Sequence, residues 1–413
     1  MNGKKKIVIV GAGFGGITAA LMLARNRGTL RHEYEILLVD RHHHHLYTPA
    51  LYEIASLPRD VANDNVLETS VLIPISSITN RYAITTVCDE FLSTDRAAHT
   101  ITLKAKGTMP FAFCILALGS ETNYFDIPGM KEYSFPLKTV HDAIVLRNAI
   151  ENATSKKSSL HIVVGGAGAS GVEIVAEFVN FICALQRTAA IASACNVHFT
   201  LVEASPDILP GFEPHIVHVA RKRLLTLGIT IRTGSPIDTV ETTTLMLKNG
   251  EVIPYDILIW TGGTHGPSIF KQMDIPLSAK GSIRTNTYLG IEGGDDTLYA
   301  IGDNSHFENP ETHQPVIWNI PVAESEGRLV ARNILRTILG KQKIPFRPFK
   351  KYPFILAVGK KYAIADLIIF RFCGFFGWLT KQFVELRYLV YILPVGHALH
   401  RWFHNINMYR HND

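Results

Sequence analysis

Three short apolar runs dominate the first part of the chain: Lys6–Val10, Glu35–Val39 and Phe113–Leu118. Each is nearly continuous and rich in β-branched residues, the pattern of a strand covered on both faces of a parallel sheet. The first leads directly into glycines and then into Ile17–Arg25, whose Ala- and Leu-rich spacing predicts a helix. The same order recurs further on: the apolar run Leu160–Val164, glycines, a helical pattern over Val172–Leu185, and the strand-like Phe199–Val202. This strand, turn, helix, strand unit repeats at too long a period for a solenoid. It predicts an α/β fold with two Rossmann-like, doubly wound domains.

After a stretch rich in Pro, Lys and Arg at residues 341–350, the character changes. Tyr362–Phe376 and Phe383–Leu399 mix aromatic and aliphatic residues, interrupted by basic residues such as Arg371, Lys381, Arg387 and Arg401. Neither reaches the ~18–20 uninterrupted apolar residues of a spanning helix. Phe375, Phe376, Trp378 and Trp402 interleaved with Arg and Lys suit helices lying among lipid headgroups. A protein core or an interface between two copies is the plainer alternative. Charge sharpens the picture: the chain carries +5 overall, but residues 341–413 alone carry +9 and the preceding 340 sum to −4. A basic tail on a mildly acidic body predicts an anionic partner for the tail. That partner is expected to be a membrane surface, with no nucleic acid involved.

The remaining composition mostly excludes. A chain that is 47% hydrophobic and 19% charged is not a disordered one. It opens Met-Asn-Gly-Lys-Lys-Lys and enters Ile7–Val10 at once, without the long apolar region of a secretory signal. The expected location is therefore the cytoplasm or the cytoplasmic face of a membrane. Cys88, Cys114, Cys183, Cys195 and Cys373 are scattered, odd in number and form no CxxC pair. This argues against a disulfide framework, a zinc site or a dithiol redox centre. Cys114, inside an apolar run, reads as a buried core thiol.

The chemistry sits in the glycine turns. Gly11-Ala-Gly13-Phe14-Gly15-Gly16 follows a strand and opens a helix, and Asp40 ends the next strand, 24 residues after Gly16. Glycines permit the tight turn and the close approach of a pyrophosphate, the helix N-terminus supplies N–H groups, and the carboxylate accepts from ribose hydroxyls. Gly166-Ala-Gly168-Ala-Ser170-Gly171 repeats the arrangement, with Glu203 ending its following strand. A Glu there repels a 2′-phosphate, which favours NADH over NADPH. A lone turn of this kind is weak evidence, since a Gly-rich turn has structural uses. Two, each with its strand, helix and carboxylate, predict two bound dinucleotides. Ala117-Leu-Gly119-Ser120 and Trp260-Thr-Gly262-Gly263 put small residues where the chain crosses between domains, and Gly302-Asp303 ends a further strand. A carboxylate at Asp303 suits the ribityl chain of a flavin; a capping role at a helix start is compatible with that.

These residues resemble the two-dinucleotide-fold flavoprotein reductases, and within them the type II NADH dehydrogenases, single-subunit NADH:quinone oxidoreductases that pump no protons. The narrower likeness rests on Asp40-Arg41, His45-Leu-Tyr-Thr-Pro49-Ala-Leu-Tyr52, Gly119 to Gly129, Phe135-Pro-Leu-Lys138-Thr139, Gly171-Val-Glu173 and Leu201-Val-Glu203. It continues through Ala357-Val-Gly359-Lys360, Ala365-Asp366 and Gly377-Trp378-Leu379, so that it covers nearly the whole chain. The resemblance implies an FAD-binding domain over residues 1–120 and 268–340, an NADH-binding domain over 121–267, and a membrane-surface or dimerisation segment over 341–413. FAD would be held by Gly11, Gly13, Phe14, Gly15, Gly16, Asp40, Arg41, Pro49, Val87, Ala117, Gly119, Gly302 and Asp303. NADH would be held by Gly166, Gly168, Ser170, Gly171, Glu203, Gly262 and Gly263. Glu173 is implied as the catalytic residue, turned toward the nicotinamide and the acceptor to orient NADH or relay protons; a helix-start Glu favoured by the dipole is the alternative.

One departure stands out. Where the family has an Ala-Gln-x-Ala-x-Gln stretch lining its quinone site, this chain has Ile320-Pro321-Val-Ala323-Glu324-Ser325, with Pro321 and Ser325 in place of the two glutamines. The acceptor pocket is therefore expected at Pro321, Glu324 and Ser325, with Glu324 as a replacement polar group. The run His42–His45 invites a metal reading, but consecutive residues on an extended segment face alternate sides, so no metal site is expected. A sulfide:quinone oxidoreductase needs a reactive cysteine pair that the spacing does not supply. An NADH-sensing FAD protein with another acceptor stays open, as does a homodimer.

Overall fold

A computed structural model describes residues 4–30, 33–188 and 195–412. It divides into two compact units, residues 1–45, 73–121 and 264–352 in one and 46–72, 122–263 and 353–413 in the other.

The first unit is built on a parallel sheet of five strands, in the order Leu298–Ala300, Phe113–Leu116, Lys5–Val10, Tyr34–Asp40, Ile84–Cys88. Lys5–Val10 is central, and its partners on the two sides are reached by opposite crossovers. Its C-terminal end is thus a topological switch point, where the chain opens a crevice for a ligand. Helices Phe14–Arg25 and Ile320–Ile338 pack against each other so closely that a Cβ on Gly327 would overlap the carbonyl oxygen of Gly15. Val8, Val10, Leu37, Val39, Leu116 and Ala300 bury the face opposite. A three-stranded antiparallel sheet, Phe91–Asp95, Thr100–Leu103 and Gly107–Pro110, completes the unit.

The second unit repeats the plan. Its parallel sheet runs Phe135–Pro136, Ile257–Trp260, Leu160–Gly165, Val197–Val202, Thr230–Arg232. Helix Ala169–Thr188 carries Val172, Ile174, Val175, Phe178, Phe181 and Ile182 into the core. Among the described residues it is the one helix long and apolar enough to cross a membrane, and its apolarity is accounted for by that core. Helix Val140–Thr154 starts on a capping box in which Thr139 and Asp142 satisfy each other's backbone N–H groups.

Three expectations are corrected. Residues 46–72 leave the first unit for the second, because the fully buried Arg147 donates to Ala62 O at 2.9 Å and pairs with Asp64, tying this excursion to helix Val140–Thr154. The tail is not a separate segment either. Residues 341–352 stay with the first unit, Phe346 N donating to Thr287 O at 2.7 Å. Residues 353–413 fold into the second: strands Phe354–Ala357, Ala363–Asp366 and Arg371–Gly374 form an antiparallel sheet, and helices Phe375–Ile392 and Val395–Tyr409 follow. Much of the aromatic stretch up to Phe376 is therefore strand and hairpin, while Tyr388, Leu389, Ile392, Ala398, Met408 and Tyr409 are core.

The third correction is a disulfide between Cys183 and Cys195, whose Cα atoms lie 4.9 Å apart. The end of the long helix returns beside the start of the next strand, where Gln186 Oε1 also accepts from Asn196 N at 2.9 Å. Spacing along the chain carried no sign of that juxtaposition. Cys114 is buried as expected, and burial pushes its thiol far up.

Candidate functional site

In the first unit the chain leaves the central strand at Gly11, with φ of 108°, where a side chain would collide with Ala117 O. Gly16 sits on Gly11 O in the same way, which draws helix Phe14–Arg25 onto the strand end. Gly13 differs: a Cβ there meets nothing within 4 Å. It is the N-cap of the helix and brings no side-chain cap, so the first N–H groups face the open side. Asp40 closes the cradle from the next strand, Oδ2 accepting from Ala12 N at 2.6 Å and Oδ1 from His42 N at 2.8 Å. The rim is completed by Phe14, edge-on to the buried His45, whose Nδ1 lies 2.9 Å from Ala12 O. Arg41 Nε reaches His42 Nε2 at 3.2 Å, and Val87 pairs with Val39. Open N–H groups, a glycine with free space above it and a carboxylate fixed at the strand end fit a pyrophosphate and its ribose.

The second unit holds a like cradle. Gly166, with φ of 96°, lies against the backbone of Thr261 and Gly262, and Gly171 rests on Gly166 O. Gly168 again faces open space and Ser170 is exposed. Glu203 Oε2 accepts from Ala167 N at 2.7 Å and Oε1 from Ser205 N at 2.8 Å. Thr261 Oγ1 locks the crossing by donating to Gly166 O at 2.9 Å, and Gly263 lies against the Phe125 ring.

Back in the first unit, Gly302 to Asn304 form a single tight turn after strand Leu298–Ala300. Ser120 Oγ donates to Asp303 Oδ2 at 2.9 Å, so Asp303 and the Gly119–Ser120 turn meet. Two residues beside it escaped the sequence analysis. Buried Asn304 ties Leu116 O to Gly119 N, at 3.1 and 3.2 Å. Buried Glu326 accepts from Gly302 N at 2.6 Å. Burial pushes the Glu326 carboxyl up to about 8, with the Gly302 N–H pulling it back and Asp303 adding to the rise.

The departing segment opens helix Ile320–Ile338. Asn319 caps it through Val322 N at 2.8 Å, and Pro321 takes a first-turn position where a missing N–H costs nothing. Ser325 Oγ donates to Val322 O at 2.8 Å, and buried Glu324 pairs with Arg328 at 3.1 Å. Pro321, Glu324 and Ser325 lie in the first two turns of this helix, between the N-cap Asn319 and Glu326. Pro49 lies in the second unit, in the short turn Thr48–Ala50.

Glu173 stands in the second turn of helix Ala169–Thr188, past the first-turn position where the dipole acts. Ala357 N donates to its Oε1 at 3.4 Å. Burial lifts its carboxyl to about 8; Lys381 and the Ala357 N–H oppose that, and Glu53 adds to it. Lys381 in turn is ion-paired with Glu53. Burial works against the ammonium, but Glu53, Glu385 and Glu173 outweigh it and hold it charged. None of Glu53, Lys381 and Glu385 was legible as a site residue, since they come from residues 328 and more apart in the chain or sit in an apparent surface helix.

Of the histidines, His45 is buried and His42 stacks on His44, their ring centroids 5.1 Å apart. Elsewhere Glu213, His215 and Asp366 come within 4.8 Å of one another, with Arg371 ion-paired to both carboxylates.

A sequence profile of the pyridine nucleotide-disulphide oxidoreductases matches residues 5–327. The type II NADH:quinone oxidoreductase of Staphylococcus saprophyticus is 28% identical over 349 residues, 82% of this chain and 84% of that protein. The Staphylococcus aureus enzyme of the same name is 28% identical over 360 residues, covering 83% and 85%. The structure of NDH2 from Plasmodium falciparum in complex with NADH superposes with a TM-score of 0.80 over 98% of both chains, at 17% identity. The sulfide:quinone oxidoreductase of Aquifex aeolicus gives 0.75 over 94% of this chain and 91% of that one, at 16% identity. These two likenesses speak to the fold.

Proposed function

Because this chain belongs to the pyridine nucleotide-disulphide oxidoreductase family, we propose that it binds FAD at the first cradle and NADH at the second, and that it reduces a membrane quinone with the electrons of NADH. The observation that carries this is the pair of glycine cradles, each closed by a carboxylate bonded to its own turn, Asp40 to Ala12 and Glu203 to Ala167. The quinone is supported by the names of the staphylococcal relatives, which match at 28% identity over most of their length.

FAD, when bound, supplies the chemistry of taking a hydride and passing its electron pair on. The chain's own residues do the rest. The N–H groups at Gly13 to Gly16 and Gly168 to Gly171 hold pyrophosphates at helix starts. Asp40 and Glu203 accept from ribose hydroxyls, and the charge on Glu203 repels a 2′-phosphate. Asp303 and Ser120 present a polar edge to the flavin, with Gly119 and Gly302 keeping the backbone close. Glu173 holds a proton near neutral pH, suited to orienting the nicotinamide amide or to supplying a quinone oxygen. Oxidation of sulfide would require a reactive cysteine pair. The described cysteines of the first unit are Cys88, exposed, and Cys114, buried at a strand centre.

The membrane is met by the last part of the second unit. The turn between strands Ala363–Asp366 and Arg371–Gly374 exposes Ile368, Ile369 and Phe370, Ile369 at 82%. Phe372, Phe375, Phe376, Phe383, Val384 and Phe403 are exposed as well. So much exposed apolar surface in one short stretch, with Arg371 and other basic residues among it, suits a headgroup region on the cytoplasmic face.

The test is anaerobic. The purified protein should be yellow, bleach on NADH, and recover its colour when a short-chain quinone is added. A colourless protein, or a bleached one that quinone does not reoxidise, overturns the proposal.

A further inference from the structure

Glu326 is a buried carboxyl group of the first unit with no cation beside it. It stands in the second turn of helix Ile320–Ile338, 3% exposed. Among the described residues no Lys, Arg or His forms an ion pair with it, whereas its neighbour Glu324 has Arg328 at 3.1 Å. What it does hold is backbone: Oε2 accepts from Gly302 N at 2.6 Å. Gly302 turns the chain with φ of 73°, and a Cβ on it would meet the Ala323 side chain at 3.5 Å, so the turn lies directly on the helix. Asp303 follows, bonded to Ser120 Oγ at 2.9 Å. Carboxyl, amide, carboxylate and hydroxyl are thus joined in one short path from Glu326 to the residues read as the flavin's polar edge.

The other groups facing Glu326 carry no compensating charge. Helix Phe14–Arg25, whose Gly15 carbonyl meets Gly327, has no titratable side chain before Arg25. Tyr352 approaches from beyond the end of Glu326's own helix; its hydroxyl accepts from Phe349 N at 3.2 Å and is hydrogen-bonded with Ser325. Burial pushes that hydroxyl above its ordinary value and Glu326 adds to the rise, so it too is neutral. A carboxyl taken out of water without a cation keeps its proton. Accordingly burial lifts Glu326 to about 8, the Gly302 N–H pulling it back and Asp303 adding to the rise.

Reduction makes that proton matter. A hydride brings two electrons and one proton to FAD, which leaves the flavin with one more negative charge. A carboxylate close by opposes this charge, and a carboxylic acid does not. Resting on the reading of FAD at the first cradle, we propose that Glu326 is a positioning residue of the flavin site: its bond to Gly302 N fixes the turn that presents Asp303 to the flavin, and its proton decides whether one or two carboxylate charges stand at that turn when electrons arrive. In alkaline solution, where Glu326 has released its proton, reduction draws one back onto it from water.

The test uses the FAD-loaded full chain, unaltered and as Glu326→Gln and Glu326→Ala. The flavin's midpoint potential is followed by equilibrium titration against redox dyes from about pH 6 to about pH 9, and FAD affinity by flavin fluorescence. At about pH 6 the unaltered protein and Glu326→Gln should share one potential. At about pH 9 flavin reduction should be about fivefold less favourable in the unaltered protein, a gap of about 20 mV for a two-electron couple. Glu326→Ala leaves Gly302 N without its acceptor and should bind FAD about tenfold more weakly than Glu326→Gln. A difference in potential that is zero, or the same at every pH, overturns the proposal, and equal FAD affinity in the two variants removes the bracing of the turn. Should the variants fail to fold, the unaltered protein decides: its potential should fall more steeply above about pH 8 than below it, and a slope that stays constant or flattens refutes the role of the proton. A chain that binds no FAD at all removes the flavin reading itself, and this proposal with it.

Discussion

Glu203 holds the backbone N–H of Ala167 at 2.7 Å, inside the second glycine turn. One carboxylate thus shapes the turn that meets a phosphate and also offers its charge beside the ribose. The two duties separate by substitution. Glu203→Gln retains an acceptor for Ala167 N and removes the charge. The NADH-to-NADPH ratio of kcat/KM should drop by about tenfold, roughly 1.4 kcal/mol, with little change in Tm. Glu203→Ala should lose the same selectivity and also destabilise the turn by about 1–3 kcal/mol. Steady-state rates with both nucleotides check this; an unchanged ratio in Glu203→Gln removes the charge from the account.

Two glycines of the first cradle make opposite predictions. A Cβ at Gly16 overlaps Gly11 O, so Gly16→Ala should lower stability by about 1–3 kcal/mol as well as flavin content. A Cβ at Gly13 meets only open space, and its φ of −75° suits alanine. Gly13→Ala should therefore leave the fold's Tm intact while weakening FAD binding about tenfold or more, because the methyl stands where a pyrophosphate would lie. Thermal melts paired with flavin absorbance measure both; undiminished flavin in Gly13→Ala would show the open face is not the binding face.

Stability should fall as pH rises through neutrality. Glu173 and Glu326 are lifted from 4.5 to about 8 and Glu385 to about 7. Between those limits the folded state binds more protons than the unfolded one, so the slope of unfolding free energy with pH is negative. The contribution is complete below pH 4.5 and is lost as pH passes the folded values near 7 and 8. Asp89 and Asp256, held below 3.8, act oppositely but only at more acid pH. Melting curves should show a Tm roughly 5 °C or more lower at about pH 9 than at about pH 6, and Glu326→Gln should flatten the trend. A flat or rising Tm contradicts it.

Membrane binding is best probed by point substitution, because Tyr388, Leu389 and Ile392 of the terminal helices belong to the core and truncation would expose them. Ile369→Glu with Phe370→Glu places two charges at the exposed turn. Sedimentation with anionic vesicles should fall about tenfold or more, with Tm and NADH:ferricyanide rate retained. Retention of full vesicle binding moves the membrane face elsewhere, and loss of a dimer instead of vesicle binding would assign the turn to a second copy.

What could be read from the chain alone was whatever depends on neighbours along it. Strand, glycine turn, helix and terminal carboxylate follow one another within Lys5–Asp40 in the first cradle and within Leu160–Glu203 in the second, and local sterics dictate their geometry, so both cradles were legible down to Asp40 and Glu203. Apolar runs likewise announced the two parallel sheets. Tertiary structure alone decided what depends on burial and on partners far along the chain. Only folding brings Lys381 to Glu53, 328 residues away, sets Glu326 beneath Gly302, joins Cys183 to Cys195 and sends residues 46–72 into the second unit. A carboxyl group's charge state is set by the dielectric and the charges around it, and neither exists until the chain has packed.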